Sequence, residues 1–238
     1  QEDLSTLRVI RESTERILEN QTEAQMRLFE TQYEFNEEFI RQLIPGKNIF
    51  AVNQSLFKTS QDMIIVSHSP EREFVFDLIE HSKFIESWIK SPDKGFYSLD
   101  YTFWKGGKDR VVRSFNPDFF IKLDLGSYLR QIGNGNKDDL RQLQDKGVKK
   151  IILVAEIKGD DEMKERVSRA KQDAGLLHFD SLSERLHSEN PINLEPEFRE
   201  STKQHYEFFL IHPNEYKTWF EKLSDGSIVD LDDELPEY

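Results

Sequence analysis

One stretch limits the fold more than any other. Residues 150–159 read KIILVAEIKG, with five apolar residues in succession. A short continuous apolar run is what a strand buried on both faces requires. The run ends in charge, at Glu156 and then Lys158. Residues two apart on an extended strand share a face, so these two side chains point the same way at the C-terminal end of the strand.

The rest of the chain is compatible with a core built around such a strand. It has 238 residues, 37% of them hydrophobic, which excludes global disorder and leaves room for one sizeable domain with an attachment. Cysteine is absent, so disulfides and thiolate zinc sites are excluded, and a reducing cytoplasm is the expected setting. No apolar run approaches the roughly 20 residues of a membrane span, and the charged start shows no secretory leader. The formal net charge is −13, which on average repels nucleic acid. That charge is uneven: residues 224–238 hold six acids and no Lys or Arg.

Three segments are expected. Residues 1–46 read as a helical connector or docking segment, free of Pro and Gly until Pro45-Gly46, with apolar residues such as Ile10, Ile17, Leu28 and Phe35 along it. A helix of about 40 residues spans roughly 60 Å and packs against something outside its own small domain, for instance a second copy of the chain. Residues 47–223 form the domain, with its core in 66–212, and 224–238 are a solvated acidic tail. Within the domain, 69–90 reads as helix, with Ser69 as N-cap, Pro70 in the first turn and Glu71 and Glu73 favouring the dipole. Residues 94–104 and 110–123 read as paired strands around the turn KGGKD. Residues 124–147 are a polar insertion with some helix, lacking the spacing of a phosphate loop. A helix over 160–179, a strand over 205–212 and a helix over 213–223 follow. The fold class is therefore α/β.

The chemistry gathers around Asp118. It follows Pro117 in SFNPDFFIKL, where proline removes a ladder hydrogen bond and marks an edge or bend. If its strand neighbours the one ending in Glu156, two carboxylates and Lys158 converge. Carboxylates that close repel unless a cation lies between them, and oxygen ligands in small number suit magnesium. A lysine beside them can neutralise charge building on a phosphate. The plain alternative is a Glu156–Lys158 ion pair with Asp118 capping a turn. Glu71 shares a helix face with Phe74 and Leu78, whereas Glu73 falls with Asp77 and Glu80. Lys105, Lys108, Arg110 and Arg113 lie beside Phe103 and Trp104, a basic hairpin suited to phosphates. The six histidines show no close metal-ligand spacing.

NPDFFI, followed by ILVAEIKG in that order behind the helix SPEREFVFDLIE, resembles the signature of the PD-(D/E)XK nuclease superfamily. With FIESWIKSP, these segments are similar to the C-terminal endonuclease domain of type III restriction enzyme Res subunits and related helicase-nucleases. The resemblance spans about residues 66–180. It implies a restriction-endonuclease-like αβββαβ core with a mixed central sheet. It further implies a Mg2+-dependent endonuclease, with Mn2+ as substitute, that hydrolyses phosphodiester bonds in DNA within a bacterial restriction or anti-phage system. Asp118, Glu156 and the backbone carbonyl of Ile157 would hold the metal, Lys158 would be the catalytic lysine, and Glu71 the added glutamate. Lys171 and Gln172 correspond to accessory positions in some relatives. No Walker loop or helicase motif is present in these residues, so a helicase, translocase or other subunit is the expected protein partner. Two alternatives stay open: a nuclease-like module without activity, serving binding or assembly, and a nuclease cutting RNA.

Overall fold

The computed structural model describes residues 48–51, 58–61, 63–66, 69–91, 96–105, 109–133, 137–158, 165–187 and 203–231. The helical segment expected over 1–46 and residues 232–238 of the acidic tail lie outside them. The start of that tail is not a solvated end: the last helix runs to Asp225, and Ile228 and Val229 are buried in the core.

A four-stranded sheet organises the described chain. In chain order the elements are β1 (Asn48–Ala51), β2 (Met63–Val66), α1 (Ser69–Glu80), β3 (Ser87–Lys90), β4 (Leu99–Lys105), β5 (Asp109–Phe115), β6 (Phe119–Asp124), α2 (Leu125–Gln131), α3 (Asp138–Asp145), β7 (Lys150–Ile157), α4 (Glu165–His187), β8 (Gln204–Ile211) and α5 (Tyr216–Asp225). The main sheet runs β3-β6-β7-β8; β3, β6 and β7 pair antiparallel, and β8 joins β7 in parallel. The fold is thus α/β with a mixed sheet, and β1–β2 and β4–β5 form separate two-stranded ribbons.

The central position of β7 follows from its sequence. Its six residues from Ile151 to Glu156 are all buried, because both sheet faces are covered. On one face Phe74, Leu78, Tyr128, Leu140, Trp219 and Phe220 from the surrounding helices pack against Phe119, Ile121, Leu123 and Leu153. On the other, Phe179 of α4 and Leu99, Tyr101 and Phe115 of the ribbon pack against Ile152, Val154 and Phe208. Alternation along β6 sends Phe119, Ile121 and Leu123 to the first face and Phe120 to the second.

Two strand expectations need correction. The helix read over 69–90 stops at Glu80; a short 3-10 turn follows at Ser82–Phe84, and SWIK becomes β3. The apolar residues Phe84, Ile85, Trp88 and Ile89 also suit a helical period. The open edge of β6 decides otherwise, pairing Ser87 to Lys122 and Lys90 to Phe119. Likewise 110–123 is not one strand. Pro117 breaks it, so β5 stays with β4 in the ribbon while β6 enters the main sheet. The polar insertion at 124–147 does contain helix, α2 and α3, with Asp124 capping α2 by accepting a 2.8 Å bond from the Ser127 amide.

Candidate active site

Strand pairing brings Asp118 to Glu156. β6 and β7 are antiparallel neighbours with Phe119 opposite Ala155. One step further along that register sets Asp118 across from Glu156. Pro117 frees Asp118 from the ladder just before β6, and one carboxylate oxygen accepts a 2.7 Å hydrogen bond from the Ile157 amide. A strand residue's N–H and C=O face the same neighbouring strand, so the Ile157 carbonyl belongs to the Asp118 side.

Glu71 reaches the same point from the first turn of α1. It is buried, on the face that carries Phe74 and Leu78, whereas Glu73 is exposed and lines a separate groove with Asp77 and Glu80. Between Glu71 and Asp118 stands Lys90, the last residue of β3. Its ammonium lies 3.4 Å from a Glu71 oxygen and 3.7 Å from an Asp118 oxygen, and its side chain is only 3% exposed. On the opposite side of the sheet end, Lys171 of α4 donates to Glu156 Oε1 and sits 5.0 Å from the Phe115 ring centre.

Five charged side chains therefore meet at the C-terminal end of β7: Glu71, Lys90, Asp118, Glu156 and Lys171. Burial raises the Asp118 carboxyl above its ordinary range; Glu71 adds to the rise, while Lys90 and the Ile157 amide oppose it. Burial also raises Glu156, and the Asp118 charge pushes the same way against Lys171 and Lys90. The second oxygen of Glu156, Oε2, is buried and has no hydrogen-bond partner. A buried carboxylate oxygen left bare is costly and calls for a proton or a cation.

Sequence reasoning missed Lys90, because a helical reading of 69–90 hides its place at the end of a strand. Its one available signal was the alternation in SWIK. Lys158, expected beside the acids, is half-buried just past β7. Its amide donates to the Ile211 carbonyl at 2.9 Å, and its ammonium has no ion pair among the described residues. The lysines in contact with the carboxylates are Lys90 and Lys171. Gln172 is exposed and lies in a different recess, bordered by β8 and α5, so only Lys171 of the accessory pair reaches the acids.

Three of the four cations of the basic hairpin lie along the described ribbon. Arg110 pairs across the ribbon with the 57%-exposed Trp104. Lys105 sits opposite Asp109, Arg113 stacks over Phe103 at 5.5 Å, and Lys108 lies outside the described residues. Lys150 is at the far end of β7, held by Glu86 at 2.5 Å and Asp124 at 2.9 Å.

Among the described residues no group of three His, Cys, Asp or Glu side chains forms a ready metal cage. The donor set still fits a hard cation that takes few protein ligands: two oxygen donors on adjacent strands, one with a bare buried oxygen. Comparison with protein-family models, with curated proteins and with solved structures gave no significant match. No helix among the described residues is long and apolar enough to cross a membrane.

Proposed function

We propose that this chain is a metal-dependent nuclease hydrolysing phosphodiester bonds in DNA. The observation that carries the reading is the bare, buried Oε2 of Glu156 at the end of β7, next to Asp118 on the adjoining strand. The order α1, β3, β6, β7, α4, β8, with the strands side by side in that sequence, also supports the likeness to a PD-(D/E)XK core, with β4–β5 as an inserted ribbon.

A magnesium ion held by Asp118, Glu156 and the Ile157 carbonyl would supply Lewis acidity and a water acidified toward neutral pH. The protein groups have separable tasks. Lys90 and the Ile157 amide each fix one oxygen of Asp118. Lys171 fixes Glu156 Oε1 and leaves Oε2 available. Lys158 would neutralise charge on the phosphate as water oxygen bonds to phosphorus and the bond to the leaving sugar oxygen breaks. The water's proton leaves to solvent or to the leaving oxygen. A restriction or defence setting and a translocating partner follow from the sequence resemblance and belong to the same proposal.

One observation favours an inactive binding module instead: Lys90 and Lys171 already counter three carboxylates. A cleavage assay with Mg2+ or Mn2+ decides. Asp118→Ala and Lys158→Ala are each expected to lower cleavage by about 100-fold or more while the melting transition stays cooperative. Metal-dependent digestion that survives both changes removes the assignment, and the absence of any Mg2+ or Mn2+ binding by the unaltered chain favours the module.

A further inference from the structure

A groove of about 1210 Å³ runs between the β4 edge and α4, beside the acid cluster and separate from it. Its floor is apolar, with Leu99, Tyr101, Ala170 and Ala174. Four arginines border it: Arg110 on the ribbon and Arg166, Arg169 and Arg185 on α4, against the acids Asp100 and Asp173. In a chain of net charge −13 this is a local reversal of sign. Arg110, Arg166 and Arg169 are exposed and make no ion pair among the described residues. Trp104, 57% exposed, stands at one end, and Leu177, 43% exposed, is on the helix side.

We infer that this groove binds a single-stranded segment of nucleic acid. The inference rests on the nuclease reading for its biological sense, but its physics is independent. Duplex binding needs only a charged surface that matches the phosphate backbone. An apolar floor with an exposed indole at its end offers unpaired bases a face on which to stack, while arginines track the backbone. Arg166 and Arg185 are separated by about 28 Å along α4 at 1.5 Å per residue. That length suits a strand of about five nucleotides, at the low end of single-strand site sizes. The same helix presents Lys171 to Glu156 on an adjoining face, so a strand lying in the groove passes beside the acid cluster.

The test is binding by the full chain in EDTA, where metal-dependent cleavage cannot occur. The probes are fluorescein-labelled dT12, a 12-base-pair duplex and poly-glutamate. Expected is tighter binding to dT12 than to the duplex, with no competition by poly-glutamate. Arg166→Ala with Arg169→Ala should weaken dT12 binding and reduce the salt slope by about 1.4, at about 0.7 per phosphate lost. Trp104→Ala should weaken it about tenfold with the slope unchanged. All three side chains are exposed, and an unaltered melting temperature confirms the fold of each variant. Absence of dT12 binding, preference for duplex, competition by poly-glutamate, or indifference to the arginine pair each overturns the inference. Binding lost with cleavage intact removes the groove alone. Binding intact without cleavage in any divalent metal removes the nuclease reading alone.

Discussion

At the scale of single residues, Glu156 carries the sharpest consequence. Its folded-state affinity for a proton is raised by burial and by Asp118. A raised carboxyl contributes stability that is full below its unfolded value, 4.5, and is lost as pH rises through the folded value. Without metal, the chain should therefore melt at progressively lower temperature as pH climbs from 5 toward 9, and Asp118, raised by burial in the same way, adds to the decline. Glu156→Gln keeps an acceptor for Lys171 and cannot ionise. It should flatten that decline and gain about 1–3 kcal/mol at the alkaline end, the usual penalty of a bare buried group. Added Mg2+ should raise the melting temperature of the unaltered chain more at high pH than at low, because the ligands must lose their protons first. Melting curves over pH, with EDTA or Mg2+, check all three. The acids of the site were legible from sequence because Pro117-Asp118 and Glu156-x-Lys158 interrupt apolar strands. Lys90 was not legible, since a buried lysine is recognised by its partners, and those lie on α1 and at the start of β6.

At the scale of elements, α4 is held unusually close to β8. A Cβ added at Gly175 would lie 2.3 Å from the Phe208 ring, which is itself stacked on Phe179 at 5.8 Å and 9°. Gly175→Ala improves helix propensity by about 1 kcal/mol. Overpacking against an aromatic ring that has little room to move costs about 1–3 kcal/mol. The clash should win, with a lower melting temperature and displacement of α4. Because α4 also carries Lys171, the contact to Glu156 should loosen, and cleavage should fall together with stability. An unchanged or higher melting temperature would show that Phe208 rotates aside at little cost. Sequence patterning gave β7, β8, α4 and α5 correctly in type, β7 by its continuous apolar run and β8 by its aromatic and apolar residues, though α4 runs on to His187, past the expected end at 179. It failed at β3 and at the β5–β6 break, where pairing partners choose the structure: β3 exists because β6 offers an edge, and β5 leaves the main sheet because Pro117 turns the chain.

At the scale of the whole molecule, the site depends on layers that meet at one aromatic hub. Phe74 of α1 has the rings of Phe119, Tyr216, Trp219 and Phe220 within 5.0–5.4 Å. These come from β6 and α5, so one side chain ties both helices to the sheet. The Tyr216 hydroxyl adds a 3.0 Å bond to the Pro70 carbonyl at the start of α1, next to Glu71. The distance from sequence to site is thus bridged by packing: Glu71 reaches Lys90 only because Phe74, three residues on, is seated in the hub. Phe74→Ala should cost about 3–5 kcal/mol, the range for a buried aromatic truncated to alanine, and urea melts should show a lower midpoint with an unchanged slope. Phe74→Leu keeps most of the volume and should leave the chain folded, yet loosen α1 and lower cleavage by moving Glu71 and Lys90 from Asp118. If Phe74→Leu retained full cleavage, the hub would be only a source of stability, and the placement of Glu71 would have to be set by its ion pair with Lys90 instead.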